Sequence, residues 1–169
     1  MTKPFVAILM GSDSDLPVMR GCYDTLKKLG IGVEMKVTSA HRTPQETHRY
    51  VKDAEARGCR IFICAAGMAA HLAGTVAGIT TRAVIGVPME GGVMGGLDAL
   101  LSTVQMPAGV PVATVAVGKA GAKNAAYLAA QMLAISDDEL AARVAADRQA
   151  NADAVIEKDR ALQAELAKH

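Results

Sequence analysis

His41 and Arg42 are adjacent residues that combine a proton-transfer group with a phosphate-binding cation. An imidazole can take or give a proton near neutral pH, and a guanidinium can bind phosphate through paired hydrogen bonds. An alternating strand pattern at 33–37 precedes them, and a capping-box pattern with a proline follows at 43–46. We therefore expect the pair on a strand-to-helix turn, at the positive end of a helix dipole, where α/β sheets bind ligands. The alternative is a histidine that only caps or packs.

A second polar turn, Gly11-Ser12-Asp13-Ser14-Asp15, follows the continuous apolar run 5–10 and opens a helix. Its amides and hydroxyls would face the same rim, where an anion can bind. Ser12 can donate to phosphate, whereas Asp15 would repel phosphate but can accept from sugar hydroxyls. The alternative is ordinary helix capping by Ser and Asp.

Small residues follow the third predicted strand at 67–72, where the lack of bulk at Gly67 lets backbone approach a flat ligand. His71 in this segment can bind a ligand or hydrogen-bond a neighbouring loop. The segment 88–96 contains four glycines and is predicted to form a loop over the site.

Motifs for metals, nucleotides and covalent catalysis are lacking. Gly118-Lys119 is not a P-loop, because Ala113 and Ala120 stand where glycine and a hydroxyl residue are needed. The three cysteines have no C-x-x-C spacing, which favours a reducing compartment over a disulfide or zinc framework. A formal net charge of +1 gives no electrostatic reason to expect nucleic acid or an anionic membrane as partner.

The elements that must position these residues alternate between strand and helix, which predicts a parallel sheet with right-handed crossovers. We expect a three-layer α/β/α fold with a five-stranded flavodoxin-like sheet, forming a catalytic domain over 1–135. The predicted strands are 5–10, 33–37, 60–64, 83–87 and 110–117. The predicted helices are 17–29, 44–57, 68–77, 97–105 and 122–134.

The tail, 136–169, is expected to be one long helix opened by a capping box at Ser136 and Glu139 and reaching about Lys168. Its apolar residues form a narrow stripe with charges around it: Leu140, Val144, Val155, Leu162 and Leu166. This helix could lie across its own domain, but such stripes commonly form interfaces, so we favour packing on a neighbouring subunit.

The uncharged run 61–81 is long enough to span a bilayer, but its glycines, alanines and His71 favour a buried strand followed by a buried helix. Met1 runs almost directly into the first strand without an export signal. We therefore expect a cytoplasmic protein that does not bind membranes.

Five blocks together resemble the class I N5-carboxyaminoimidazole ribonucleotide mutase family of purine biosynthesis. They are Gly11–Asp15, Ser39–Pro44, Ala69–Leu72, Leu100–Pro107 and Gly118–Ala126, in the family's order. Two departures are Ala73, where the family usually has proline, and the segment 90–92, which lacks a commonly seen serine.

The resemblance implies reversible transfer of a carboxylate from the exocyclic nitrogen of the ribonucleotide to ring carbon C4, without ATP, metal or organic cofactor. It implies that His41 is the general acid and base, that Ser12, Asp15 and Arg42 hold the ribose phosphate, and that Ser39 lies nearby. It also implies a homo-octamer. With Gly67 and His71 from the third loop, these residues are the predicted substrate-binding set.

Two other functions stay open at this point. The related class II enzymes carboxylate aminoimidazole ribonucleotide with free CO2, but usually carry lysine where Arg42 stands and lack the His71 feature. A flavodoxin-like module that binds a nucleotide or flavin without chemistry is the other alternative. Few aromatic residues are available to enclose a flavin ring, since the three tyrosines all fall in predicted helices.

Overall fold

The chain forms a five-stranded parallel sheet in a computed structural model that describes residues 4–168. Its strands are β1 (Phe5–Met10), β2 (Gly32–Val37), β3 (Cys59–Ala66), β4 (Ala83–Pro88) and β5 (Ala113–Thr114). They lie in the order β2-β1-β3-β4-β5, and every neighbouring pair is parallel. This is the flavodoxin-like 2-1-3-4-5 order, so the predicted fold class is confirmed.

Helices connect the strands and complete the three layers. They are α1 (Leu16–Lys28), α2 (Pro44–Ala56), α3 (Leu72–Ile79), α4 (Leu97–Val104), α5 (Gly118–Ala134) and α6 (Asp138–Leu166). A short 3-10 helix, Asp13–Asp15, precedes α1. Among residues 4–168, no helix combines the length and the apolar character needed to cross a membrane. The uncharged run 61–81 instead contains most of β3 and all of α3, as the sequence predicted.

The sheet is buried at its centre because β1 and β3 are apolar on both faces. Every residue of β1 is buried, as is the stretch 61–65 of β3. Alternate residues of these strands pack in one cluster with residues of α2 and α3. The cluster includes Ala7, Leu9, Phe62, Cys64, Val51, Ala54, Leu72 and Val76. Packing of these side chains holds the two helices against the strands whose ends carry the polar loops.

Strand β5 covers two residues, far fewer than the predicted 110–117. It is an edge strand that pairs only with Ile85 and Gly86 of β4, and Pro111 has no N–H to extend the ladder. Gly86 itself must be a glycine, because a Cβ at this position would collide with the side chain of Thr103 on α4.

Two predicted helix caps differ from the observed ones. Helix α6 is capped by Asp137 rather than Ser136, through a carboxylate oxygen that accepts from the backbone N–H of Leu140 at 2.9 Å. Thr43 precedes α2 but makes no side-chain cap, because its hydroxyl is used within the loop before the helix. The predicted capping box at 43–46 is therefore wrong, although Pro44 does begin the helix.

The chain divides into two compact units, Met1–Ala129 and Ala130–His169. The first unit contains the whole sheet, helices α1 to α4 and most of α5. The second contains the end of α5 and the 29-residue helix α6. The predicted division at residue 135, with a separate role for the tail, stays a prediction.

Candidate active site

The loops that follow β1, β2, β3 and β4 line one cleft at the carboxyl edge of the sheet, with a volume of about 590 Å³. Strand β1 lies between β2 and β3, so the cleft is at the point where the strand order reverses. All seven residues predicted for the site line this cleft: Ser12, Asp15, Ser39, His41, Arg42, Gly67 and His71. The structure therefore brings the predicted residues together.

The loop after β1 is held by its own hydroxyls and by β3. The backbone N–H of Gly11 donates to the carbonyl of Ala65 at 3.1 Å. The hydroxyl of Ser12 accepts from the backbone N–H of Ser14 at 3.3 Å and lies 2.9 Å from the hydroxyl of Ser14. Ser12 thereby caps the 3-10 helix, as the alternative interpretation predicted, and it also lines the cleft.

Asp15 is half-buried beside these hydroxyls. Burial raises the pKa of its carboxyl above the ordinary value, and the charge of Asp13 adds to this, while a backbone hydrogen bond with Ser12 opposes it. The folded protein thus disfavours the ionised form of Asp15, and hydrogen bonds from a bound ligand would offset that cost.

The loop after β2 is fixed by a chain of hydroxyl groups. Thr38 is buried, and its hydroxyl lies 2.7 Å from that of Thr47 on α2. The Thr43 hydroxyl accepts from the backbone N–H of Ser39 at 2.9 Å, and the Ser39 hydroxyl accepts from the backbone N–H of Arg42 at 3.1 Å. These bonds fold the segment back on itself and hold His41 and Arg42 at the cleft.

Arg42 links the first two loops. Its Nη2 donates to the carbonyl oxygen of Gly11 at 3.0 Å. Within residues 4–168 no carboxylate forms an ion pair with it. The groups that accept hydrogen bonds from the guanidinium, the Gly11 carbonyl and the Ser39 hydroxyl, are neutral. Its positive charge can therefore still neutralise an anion in the cleft.

His41 hydrogen-bonds His71 from the loop after β3. The Nε2 atom of His41 lies 2.8 Å from Nδ1 of His71, and the rings meet edge to face with centroids 5.0 Å apart. Both side chains are exposed at the cleft. Of the two roles that the sequence left open for His71, a hydrogen bond to a neighbouring loop is observed.

The loop after β3 brings backbone close to the cleft. Gly67 lies against Met89, since a Cβ added to Gly67 would be 3.6 Å from the Cβ of Met89. Met68 adopts a left-handed conformation with a φ of 53°, which is uncommon for a residue with a side chain. Tight turns follow, in which the N–H groups of Ala70 and His71 donate to the carbonyls two residues before them at 2.9 Å.

Met68, Met89 and Glu90 also line the cleft. The sequence predicted that their segments, 67–72 and 88–96, lie at the site but gave these three residues no role. Nothing in the sequence indicates the left-handed conformation of Met68.

Gly118, the glycine of the Gly118-Lys119 pair, is required for steric reasons, as is Gly121. Gly118 begins α5 with a φ of 70°, and a Cβ there would lie 2.5 Å from a carboxylate oxygen of Glu90. Gly121 is equally constrained, because a Cβ there would collide with the backbone carbonyl of Ala116. These glycines allow α5 to begin beside the cleft residue Glu90.

The cysteines are unsuited to nucleophilic catalysis. Cys22, Cys59 and Cys64 are all buried and free. Burial raises the pKa of Cys22 to about 12, that of Cys59 to about 11, and that of Cys64 further still. In the described part of the chain, no three His, Cys, Asp or Glu residues are placed to hold a metal ion.

The chain is similar to known proteins over nearly all of its length. Residues 5–154 match the family described as AIR carboxylase. The N5-carboxyaminoimidazole ribonucleotide mutase of Brucella melitensis is 49% identical, over 90% of this chain and 94% of that protein. The mutase of Bacillus subtilis is 48% identical, over 92% and 96%. The crystal structure of Treponema denticola PurE superposes with a TM-score of 0.84 at 34% identity, covering 94% of this chain and 98% of that one.

Proposed function

The chain belongs to the AIR carboxylase family, and on that basis we propose that it is an N5-carboxyaminoimidazole ribonucleotide mutase. The reaction moves a carboxylate reversibly from the exocyclic nitrogen to ring carbon C4, giving 4-carboxy-5-aminoimidazole ribonucleotide for purine synthesis. The observation that carries the proposal is the position of His41 and Arg42. From one loop they present to one cleft a proton-transfer group and a cation that forms no ion pair within residues 4–168.

Each step of the reaction needs little more than proton transfer and confinement. His41 gives a proton to the exocyclic nitrogen, and the bond from that nitrogen to the carboxylate carbon breaks, leaving a neutral amine and CO2. The electron pair of the ring's C4–C5 double bond, made nucleophilic by the exocyclic amine, then forms the bond from C4 to the carbon of CO2. His41 removes the proton from C4, which restores the aromatic ring and returns the imidazole to its starting state.

The walls of the cleft suit the confinement of CO2. The end of β3 and the segments after β3 and β4 contribute small residues to these walls, including Ala66, Gly67, Ala69 and Gly91. These small residues have no side-chain nucleophile that could capture CO2, and the cleft can exclude water once a ligand fills the opening.

The loops after β1 and β2 bind the ribonucleotide in this proposal. Arg42 neutralises the phosphate, and the hydroxyls of Ser12 and Ser39 donate to it. Asp15 accepts from a ribose hydroxyl, because a carboxylate facing the phosphate would be repelled. Gly67 and His71 border the space for the imidazole ring. Anchoring the nucleotide through its phosphate would hold C4 and the exocyclic nitrogen in register with His41.

The proposal is tested by assaying the purified protein with N5-carboxyaminoimidazole ribonucleotide and, separately, with aminoimidazole ribonucleotide plus bicarbonate. The expected result is rapid formation of the C4-carboxylated product from the first substrate without ATP or added metal. Faster turnover of the second mixture would instead identify a carboxylase that uses free CO2. If the protein turns over neither substrate, the remaining hypothesis is a module that binds a nucleotide without catalysing a reaction.

We further propose that the protein is a cytoplasmic homo-octamer in which the tail, 136–169, packs on neighbouring subunits. Support comes from the apolar residues of α6, since Val155, Ile156, Leu162 and Leu166 are all at least half exposed. The three free, buried thiols suit a reducing compartment. Sedimentation of the full-length protein as a monomer would refute the assembly.

A further inference from the structure

Met68 combines two features that packing within the chain does not explain. Its φ of 53° is left-handed, and among residues 4–168 no other residue with a side chain has a positive φ. Its side chain is large and apolar, yet the residue is 64% exposed. A left-handed residue with a side chain costs free energy, because its Cβ lies too close to a carbonyl oxygen. Burial in the fold does not offset this cost, but a ligand that covers the side chain could.

The loop after β3 determines where the Met68 side chain lies. The carbonyl of Met68 accepts from the backbone N–H of Ala70 at 2.9 Å. Gly67 lies against Met89, which is buried, so the chain just before Met68 is held in place. The Cγ atom of Met68 is 3.4 Å from the position that a Cβ of Gly92 would take. The Met68 side chain is therefore located where the loops after β3 and β4 meet at the cleft.

Met68 supplies exposed apolar surface to a part of the cleft that has little of it. Leu72 and Met89 also line the cleft in the described part of the chain, but both are buried. The other lining residues of the loops after β3 and β4 are alanine and glycine, apart from His71 and Glu90. A methionine side chain is flexible and polarizable and makes favourable contacts with aromatic rings. Its thioether does not react with CO2, so the side chain suits both a flat ring and an apolar gas.

We propose that the Met68 side chain packs against the imidazole ring of the bound ribonucleotide and limits the escape of CO2 during carboxylate transfer. This inference rests on the proposed function, in which the bond from the exocyclic nitrogen to the carboxylate carbon breaks before the bond from C4 forms. CO2 that stays in the cleft becomes the carboxylate on C4. CO2 that escapes leaves aminoimidazole ribonucleotide behind. Met68 therefore sets the ratio of these two products.

Three variants separate the side chain from the backbone conformation. Met68→Gly removes the side chain, and glycine suits the left-handed φ, so its Tm should be no lower than that of the wild type. Met68→Leu keeps an apolar side chain of similar volume. Met94→Ala is the matched control, because Met94 is 53% exposed but does not line the cleft.

The direct test is a single turnover of N5-carboxyaminoimidazole ribonucleotide with the full-length protein in excess, in which both products are quantified. Excess protein keeps the substrate bound and so limits its spontaneous decarboxylation in solution. Met68→Gly should raise the ratio of aminoimidazole ribonucleotide to the C4-carboxylated product about tenfold, the scale for removing apolar groups from a pocket. Met94→Ala should keep the wild-type ratio, and Met68→Leu should recover most of the retention. A wild-type ratio in Met68→Gly would overturn the proposal.

Contact with the ring is tested separately, by NMR of protein labelled with ¹³C at the methionine methyl groups. The added ligand is aminoimidazole ribonucleotide in buffer free of CO2, so no turnover occurs. The Met68 signal, identified by its loss in Met68→Leu, should shift at saturating ligand, whereas the Met94 signal should not. A Met68 signal that stays in place would overturn the contact.

A neighbouring subunit that covers Met68 would give a different result. Met68→Gly would then change the sedimentation of the protein but leave the product ratio at the wild-type value, which would also overturn the proposal. The product ratio further distinguishes this inference from the proposed function. Wild-type protein that forms no C4-carboxylated product would refute the mutase, whereas an active wild type with an unchanged ratio in Met68→Gly would refute only the role of Met68.

Discussion

Replacing Arg42 by methionine tests the phosphate-binding role of the first two loops. The methionine keeps an unbranched apolar stem but removes the cation and the 3.0 Å bond to the carbonyl of Gly11. Hydrogen bonds between charged groups contribute about 1.5 to 3 kcal/mol. That range corresponds to about a tenfold to hundredfold loss of affinity for the ribonucleotide. Since the phosphate is far from the reacting atoms, kcat should change much less than KM.

The matched control is Arg49→Met. Arg49 is also exposed, on α2, where it pairs with Glu46 at 2.6 Å, and its loss changes the net charge by the same amount. Arg49 does not line the cleft, so its replacement should leave the affinity for the ribonucleotide unchanged. An exposed ion pair of this kind contributes about 1 kcal/mol or less to stability, so the variant should also stay folded. Arg42→Lys should recover part of the affinity, because lysine restores the charge but not the planar donor pair.

The assay is steady-state turnover of N5-carboxyaminoimidazole ribonucleotide, with thermal unfolding to show that each variant is folded. An unchanged KM in a folded Arg42→Met variant would refute the phosphate role. A fall in kcat alone would point instead to a role in positioning the adjacent His41.

Three further predictions follow from single features. Asp15→Asn should raise the Tm of the ligand-free protein at pH 7 but not at pH 3. The raised pKa of this carboxyl means that its ionisation destabilises the fold as pH rises, and an unchanged Tm at pH 7 would contradict this. Gly118→Ala should lower Tm by several degrees and impair turnover, because the new methyl group meets Glu90 and the φ of 70° disfavours alanine; wild-type Tm would count against the steric argument. Deleting the chain from Ser136 should reduce the assembly to smaller species in analytical ultracentrifugation, and a truncated protein of unchanged subunit number would exclude the tail from the interface.

The order of elements was predictable because each strand and helix carries a local signal. The buried runs of β1 and β3, the alternation of β2 and the apolar spacing of α1 all reflect burial against neighbours. Strand-to-helix alternation then placed the polar turns at one edge. The sequence pattern therefore places Ser12, His41, Arg42 and His71 at the same edge of the sheet, and in the structure all four line one cleft.

What the sequence could not give depends on contacts between distant segments. The 2.8 Å hydrogen bond between His41 and His71 joins residues thirty positions apart, and no rule of sequence spacing predicts it. Threonine is a residue type that often caps helices, but the hydroxyl of Thr43 accepts instead from the backbone N–H of Ser39 in the loop. The apolar pattern predicts eight residues for β5, but only two of them pair with β4, because this strand lies at the edge of the sheet and Pro111 has no N–H to extend the pairing.

The most direct test of the account is the turnover of His41→Asn, measured together with its affinity for the ribonucleotide. Asparagine keeps a polar group of similar shape but cannot take and return a proton. The account predicts at least about a hundredfold lower kcat with nearly unchanged binding. A folded His41→Asn protein that turns over N5-carboxyaminoimidazole ribonucleotide at close to the wild-type rate would contradict it.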